Sequence, residues 1–246
     1  MQAKKVPFHQ KSKILFENDE IFVLEKPVGV LSHPNSDKES STSIVRAPYD
    51  IKSESFALEN GEKAYLAHRL DKETSGCLLF AKQLSVVKKL REDFLHHHIK
   101  KEYIALAAGI LRYGVTWKDH LIKRDGNVRF DSKKPANAET VVKVIAVFEM
   151  EKLTLLRLIP QSGKTHQLRV QTAKRNLHIL GDRQYGNFKR NKEMKQILGL
   201  NRMFLHASKL ELKNPVTGKK IEIESMLPPE LQTVLTSLGK ALNVTG

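Results

Sequence analysis

Ala67-His68-Arg69-Leu70-Asp71-Lys72-Glu73-Thr74-Ser75-Gly76-Cys77-Leu78-Leu79-Phe80-Ala81-Lys82 sets a charged, polar cluster directly against an apolar, strand-like run. One short segment therefore offers a cation, a carboxylate and hydroxyls, followed by a buried anchor to hold them. Groups mounted this way are held rigidly. Asp71 is the acid best placed for chemistry, because Arg69 lies two residues before it and Gly76 ends the polar turn. A loop aspartate capping its own turn accounts for the same local pattern.

Upstream, Ile14 to Pro27 reads as two short strands around an Asn18-Asp19 turn, with the proline ending the second strand. The loop Lys26-Pro27-Val28-Gly29-Val30-Leu31-Ser32-His33-Pro34 follows. Residues 35–62 are rich in Ser, Glu and Lys, and read as a long, partly mobile surface connection with a short helix near Ser43 to Arg46.

Downstream, apolar residues at 86, 87, 90 and 94 have a helical period. His96-His97-His98 lacks the i, i+4 spacing of helical metal ligands and reads as a polar helix end. A buried strand starts at Tyr103, and residues 110–136 read as a surface hairpin and loops around Asp125-Gly126-Asn127, with Trp117 in the core. The β-branched and apolar runs 138–148 and 153–160, separated by Glu149 to Lys152, read as an antiparallel pair. A basic helix over 188–200, strands at 205–212 and 220–223, and a terminal helix over 230–242 complete the chain.

The chain of 246 residues carries 42 Lys+Arg against 27 Asp+Glu, a net charge of +15, which makes a polyanion the natural partner. No run of 18 apolar residues exists, and Met1 to Lys13 lacks the apolar centre of a signal peptide, so the expected compartment is cytoplasmic. Cys77 is the lone cysteine, which excludes an intrachain disulfide and a cysteine-cluster zinc site and makes it a small core residue.

His68-Arg69-Leu70-Asp71 followed by Thr74-Ser75-Gly76 resembles the signature of the RluA-type pseudouridine synthases. Two further motifs follow in that family's order: Lys101-Glu102-Tyr103 ahead of an apolar strand, and the glycine turn Gln161-Ser162-Gly163-Lys164-Thr165-His166-Gln167-Leu168-Arg169. The Lys26-Pro27 to His33-Pro34 loop resembles the motif that supports the catalytic segment. Leu177 to Gly186 continues the likeness without the proline of relatives, and Gly181 and Asp182 read there as structural. Lys164 stands where relatives commonly carry arginine, and Gln171 where many carry histidine.

The resemblance implies an α+β fold, a mixed, mainly antiparallel sheet flanked by helices and loops with the active-site cleft across the sheet. It implies a basic flexible arm over 1–13, one catalytic domain over 14–228, and a C-terminal helix or tail over 229–246. The implied activity is isomerisation of a uridine in ribosomal or transfer RNA to pseudouridine, after the base is flipped out. Asp71 is then the catalytic carboxylate, Tyr103 stacks on the uracil, and Arg169 is the basic partner of Asp71. Arg69 fills the gap left by the extruded base, and His68, Thr74, Lys101, Lys164, His166, Gln167 and Leu168 complete the substrate-binding set. Such chemistry needs no metal, redox carrier or nucleotide cofactor, in keeping with the absence of Rossmann, P-loop and zinc patterns. RNA is the expected partner of a monomer, with no membrane and no obligate protein partner. Two rivals are a non-catalytic RNA-binding or RNA-chaperone protein on the same fold and a glycoside hydrolase, whose chemistry usually needs two carboxylates around the bond.

Overall fold

The computed structural model describes residues 8–34, 37–59, 61–124 and 127–239. Most of the basic arm, the Asp125-Gly126 turn and the last residues of the expected terminal helix lie outside these. The chain forms two compact units, 1–99 with 209–225 and 100–208 with 226–246, so the stretch expected as one catalytic domain contributes to both.

In the first unit the strands are β1 (Lys13–Glu17), β2 (Ile21–Lys26), β3 (Tyr49–Asp50), β4 (Ser55–Ala57), β5 (Lys63–Leu66) and β6 (Ser75–Ala81), followed by helix α1 (Leu84–Leu95). Strand β6 is buried along its whole length and pairs antiparallel with β2 from Ile21 opposite Ala81 to Lys26 opposite Gly76. Burial on both faces explains why Ile-Phe-Val-Leu and Cys-Leu-Leu-Phe read as continuous apolar runs rather than alternating ones. On one face Ile21, Val23, Cys77, Leu79 and Ala81 meet Val86, Val87 and Leu90 of α1, the apolar stripe that the helical period predicts. On the other face Phe22 and Phe80, directly opposite in register, stack with ring centroids 4.9 Å apart. Each such buried side chain contributes about 1.5–3 kcal/mol.

The segment over 35–62 departs from the loose surface connection expected. The helical turn lies earlier, over Asp37–Thr42, and Ser43, Ile44 and Val45 are buried, with Leu31 bridging Ser43 in parallel and Phe8 bridging Val45. Phe56 on β4 is fully buried and tilts against Phe80. A few apolar residues widely spaced in a polar sequence thus anchor the whole segment, a pattern too sparse for periodicity to detect.

The second unit contains β7 (Lys100–Ala108), β8 (Val115–Asp119), β9 (Leu121–Arg124), β10 (Asn127–Phe130), β11 (Ala138–Phe148), β12 (Leu153–Pro160), α2 (Gln167–Lys174), β13 (His178–Ile179) and α3 (Phe188–Leu198). Strand β14 (Leu205–Lys213) begins here and ends in the first unit, where it pairs with β15 (Lys220–Glu224), and α4 (Pro229–Ser237) returns to the second unit. Strands β8, β11, β12 and β7 form antiparallel ladders in that order, with β13 also on β7, and the 138–148 and 153–160 pair meets as its sequence predicts. Alternation along β7 sends Ile104 and Leu106 towards Met194, Leu198, Leu231, Val234 and Leu235 of α3 and α4. It sends Tyr103, Ala105 and Ala107 towards Leu168 of α2 and Leu177. Strands β9 and β10 form a separate two-stranded ribbon.

Candidate active site

In the first unit Asp71 lies on the eight-residue connection 67–74 between β5 and β6, which has no regular structure of its own. Its position is fixed through its neighbours. The Ser32 hydroxyl donates to Leu70 O at 2.9 Å and accepts from Leu70 N at 3.0 Å. On the other side Lys72 O accepts from Gly29 N at 2.8 Å and from Lys26 Nζ at 3.1 Å. The Lys26 ammonium is fully buried and also donates to Val30 O at 2.7 Å and Pro27 O at 3.1 Å. Gly29, at φ 80°, occupies the left-handed region that glycine enters without strain. The loop 26–34 therefore clamps the peptides before and after the aspartate, and a 3.0 Å bond from Thr74 N to Asp71 O closes the turn.

His68 accepts the Leu79 N–H on Nε2 at 3.2 Å and tilts against Phe94 with centroids 4.9 Å apart, which fixes its ring. Thr74 is buried under the turn, and Arg69 is exposed, with Nη1 3.3 Å from His33 Nε2. His33 stacks on Tyr49 at 5.1 Å, and burial pushes the Tyr49 hydroxyl up to about 12.

In the second unit Tyr103 stands opposite Leu158 of β12 and rests on the core that includes Leu168. Lys101, two residues earlier on the same face of β7, donates to Ser162 O at 3.4 Å in the Gly163 turn, and burial lowers its amine to about 8. His166 caps α2 in the left-handed region at φ 52°, a strained conformation for a residue with a side chain. Its Nδ1 lies 2.9 Å from the Tyr185 hydroxyl. Lys164 is exposed beside it.

Gln167 is buried, and its amide serves as a latch. It accepts from the Ser162 hydroxyl at 2.8 Å and Lys164 N at 3.1 Å, and donates to Glu139 O and the Thr140 hydroxyl, both at 3.0 Å. The Thr140 hydroxyl donates in turn to Gln171, whose amide donates to Asp119 at 2.9 Å. A buried polar chain thus ties the Gly163 turn, β11 and α2 together. Such a chain specifies one arrangement when every member is satisfied.

Arg169 is held by Asp182, a partner that the sequence reading did not assign to it. Nε donates to one carboxylate oxygen at 2.7 Å and Nη2 to the other at 2.9 Å, while the Tyr185 ring lies 5.1 Å from the guanidinium carbon. Burial works to raise the Asp182 carboxyl. The hydrogen bonds and charge of Arg169, with the N–H groups of Tyr185 and Gln184, outweigh it and hold the group below its ordinary range. Gly181, at φ 77°, lets the Arg202 carbonyl lie against the turn before Asp182: a Cβ there would stand 2.0 Å from Arg202 O. One signal was available, since Asp182 is the sole acid between Glu151 and Glu193.

These residues give two pre-set elements, a carboxylate on a clamped turn in one unit and a planar cation beside the Tyr185 ring in the other. Sequence comparison places the elements in a family. Residues 20–174 match the family model for RNA pseudouridylate synthase. The chain is 32% identical over 240 residues to ribosomal large subunit pseudouridine synthase C of Pasteurella multocida (strain Pm70), covering 93% of this chain and 68% of that protein. It is 30% identical over 241 residues to tRNA pseudouridine synthase C of Salmonella typhi, covering 92% of this chain and 90% of that protein. Among solved structures, human RNA pseudouridylate synthase domain containing 4 shares the fold at a TM-score of 0.71 and 22% identity, over 92% of each chain. The protein therefore belongs to the RNA pseudouridylate synthase family, whose members are isomerases acting on RNA.

Proposed function

We propose that the protein isomerises a specific uridine in ribosomal or transfer RNA to pseudouridine, with Asp71 as the group that acts on the ribose. The observation that carries this reading is the double clamp on the peptides flanking Asp71, through Ser32 on one side and Gly29 and Lys26 on the other. A carboxylate that must meet one carbon of a large, mobile substrate gains rate from being aimed beforehand.

The reaction breaks the bond from N1 to the sugar C1′, turns the uracil, and joins C5 to C1′, after which the C5 proton leaves and N1 regains one. Asp71 either adds to C1′ or removes the neighbouring sugar proton, and both routes require it ionised. The nucleotide is flipped out of its stack at a cost of a few kcal/mol. Arg69, exposed beside His33, fills the gap. Tyr103 stacks on the freed uracil, a contact worth roughly 1–3 kcal/mol in comparable base platforms. Arg169, gripped by Asp182, contributes a fixed guanidinium, and Lys101, Lys164 and His166 bind the RNA. His68, Thr74, Gln167 and Leu168 serve by shaping this surface, consistent with their burial or engaged hydrogen bonds. The enzyme acts as a cytoplasmic monomer without a cofactor. Among the described residues no helix is long and apolar enough to cross a membrane.

The test is pseudouridine mapping of RNA from a strain lacking the gene, complemented by the wild type or by Asp71→Asn. The wild type restores a missing site. The variant keeps fold and RNA affinity but yields no product, and normal product formation by it would sink the assignment.

A further inference from the structure

We propose that His33 is a positioning residue for Arg69: a neutral imidazole, protonated on Nδ1, whose Nε2 accepts from the guanidinium and aims it before RNA arrives. The proposal deepens, and rests on, the reading above in which Arg69 takes the place of the extruded base.

The two contacts of the His33 ring admit one protonation state. Nδ1 lies 3.0 Å from Pro34 O, and a carbonyl can only accept, so Nδ1 carries a proton. Nε2 lies 3.3 Å from Arg69 Nη1, and a guanidinium can only donate, so Nε2 offers a lone pair. The neutral Nδ1–H tautomer satisfies both at once. The other neutral tautomer satisfies neither, and a doubly protonated ring would face the guanidinium with a second positive charge.

The ring is also held from behind. It stacks on Tyr49 with centroids 5.1 Å and planes 15° apart. Tyr49 tilts on Phe56 at 4.7 Å, and the fully buried Phe56 tilts on Phe80 at 6.3 Å. An aromatic column thus runs from the core strand β6 to the exposed arginine. Ser32, the residue before His33, grips Leu70 through its hydroxyl. Consecutive residues of the 26–34 loop therefore hold consecutive residues of the Asp71 connection, one by its backbone and one by its side chain.

The charge of Arg69 is left intact by this hold. Burial pushes the Tyr49 hydroxyl up to about 12, so no phenolate faces the guanidinium. The acids whose charge reaches Tyr49 are engaged elsewhere, Glu54 with Arg91 at 2.9 Å and Asp50 with the Ser53 hydroxyl at 2.7 Å. A carboxylate in place of His33 would cancel the arginine's charge and compete with RNA for it. A neutral nitrogen narrows the rotamers of an exposed, flexible side chain and leaves its full charge for the substrate.

The experiment is a double-mutant cycle. His33→Phe keeps a ring on Tyr49 and removes the acceptor, His33→Gln keeps an acceptor, and each is made with Arg69 intact and with Arg69→Ala. Tritium release is measured on total RNA labelled at uridine C5, taken from a strain lacking the gene. With Arg69 present, kcat/KM falls roughly 3- to 10-fold in His33→Phe, the range for one lost hydrogen bond, and recovers in His33→Gln. In the Arg69→Ala background the His33→Phe loss disappears, because the histidine acts through the arginine. Nitrogen-15 resonances of the free protein at mildly alkaline pH read the same contact without RNA: His33 shows a protonated Nδ1 and a bare Nε2, and the Nε2 signal moves in Arg69→Ala. A His33→Phe loss of equal size in both backgrounds, an undiminished rate in His33→Phe with Arg69 present, or a His33 protonated on Nε2 overturns the proposal. Absence of tritium release by the wild type on any RNA overturns the assigned reaction, and the resonances then decide the contact between His33 and Arg69 on their own.

Discussion

Replacing Lys26 by methionine keeps the buried stem of the side chain and removes the ammonium that donates to Val30 O at 2.7 Å, Pro27 O at 3.1 Å and Lys72 O at 3.1 Å. A buried acceptor that loses its donor costs roughly 1–3 kcal/mol. Lys72 O keeps the Gly29 N–H at 2.8 Å, so the loss falls chiefly on the other two carbonyls. That loss is ~2–6 kcal/mol. Part of it is returned because a charge no longer has to be held out of water, leaving a net destabilisation of about 2–4 kcal/mol. Equilibrium urea unfolding reads this number. Native-state hydrogen exchange then shows where it acts: the amides of Gly29, Leu70 and Thr74, which hold the Asp71 turn, lose protection beyond the global change. Turnover falls with them, while RNA affinity changes little. An unfolding free energy within about 0.5 kcal/mol of wild type, with unaltered exchange at those amides, would refute the view that this lysine clamps the turn.

Asp182→Asn leaves the buried Arg169 without its counter-charge and is expected to cost about 3–5 kcal/mol at neutral pH by urea unfolding. The folded carboxyl lies below its ordinary value of 3.8, so its stabilisation is present above that pH and is lost as the pH falls through the folded value. This acid-dependent component should vanish in Asp182→Asn, and its persistence would count against the pairing. For Lys101, whose amine is lowered to about 8, RNA affinity is expected to weaken as the pH rises through that value and the positive charge is lost. Lys101→Gln should abolish that step in a titration of Kd against pH.

Elements with strong local signals were legible in the sequence. The stripe of Val86, Val87 and Leu90 announces α1, which buries one regular face, and the β-branched and apolar runs announce β11 and β12. The segment around Ile44 was not legible, since two apolar residues in a polar stretch carry no period, and only the tertiary fold buries them. At the site, the motifs located Asp71, Tyr103 and Arg169 in the chain but gave no direction to the side chains. Gln167 illustrates this: its place in a motif suggests an RNA contact, whereas its amide is engaged with Ser162, Lys164, Glu139 and Thr140. The clamp by Lys26 was legible only as a supporting loop, because three carbonyls converging on one amine is a property of the folded backbone.

The two-pronged hold of Asp182 on Arg169 makes that guanidinium a fixed post rather than a reaching arm. A lysine at the same position would keep the plus sign but offer a single rotating point, with nothing for the second carboxylate oxygen to grasp. Aim would be lost while charge survived, so at this position the shape of the cation carries as much of the design as its sign.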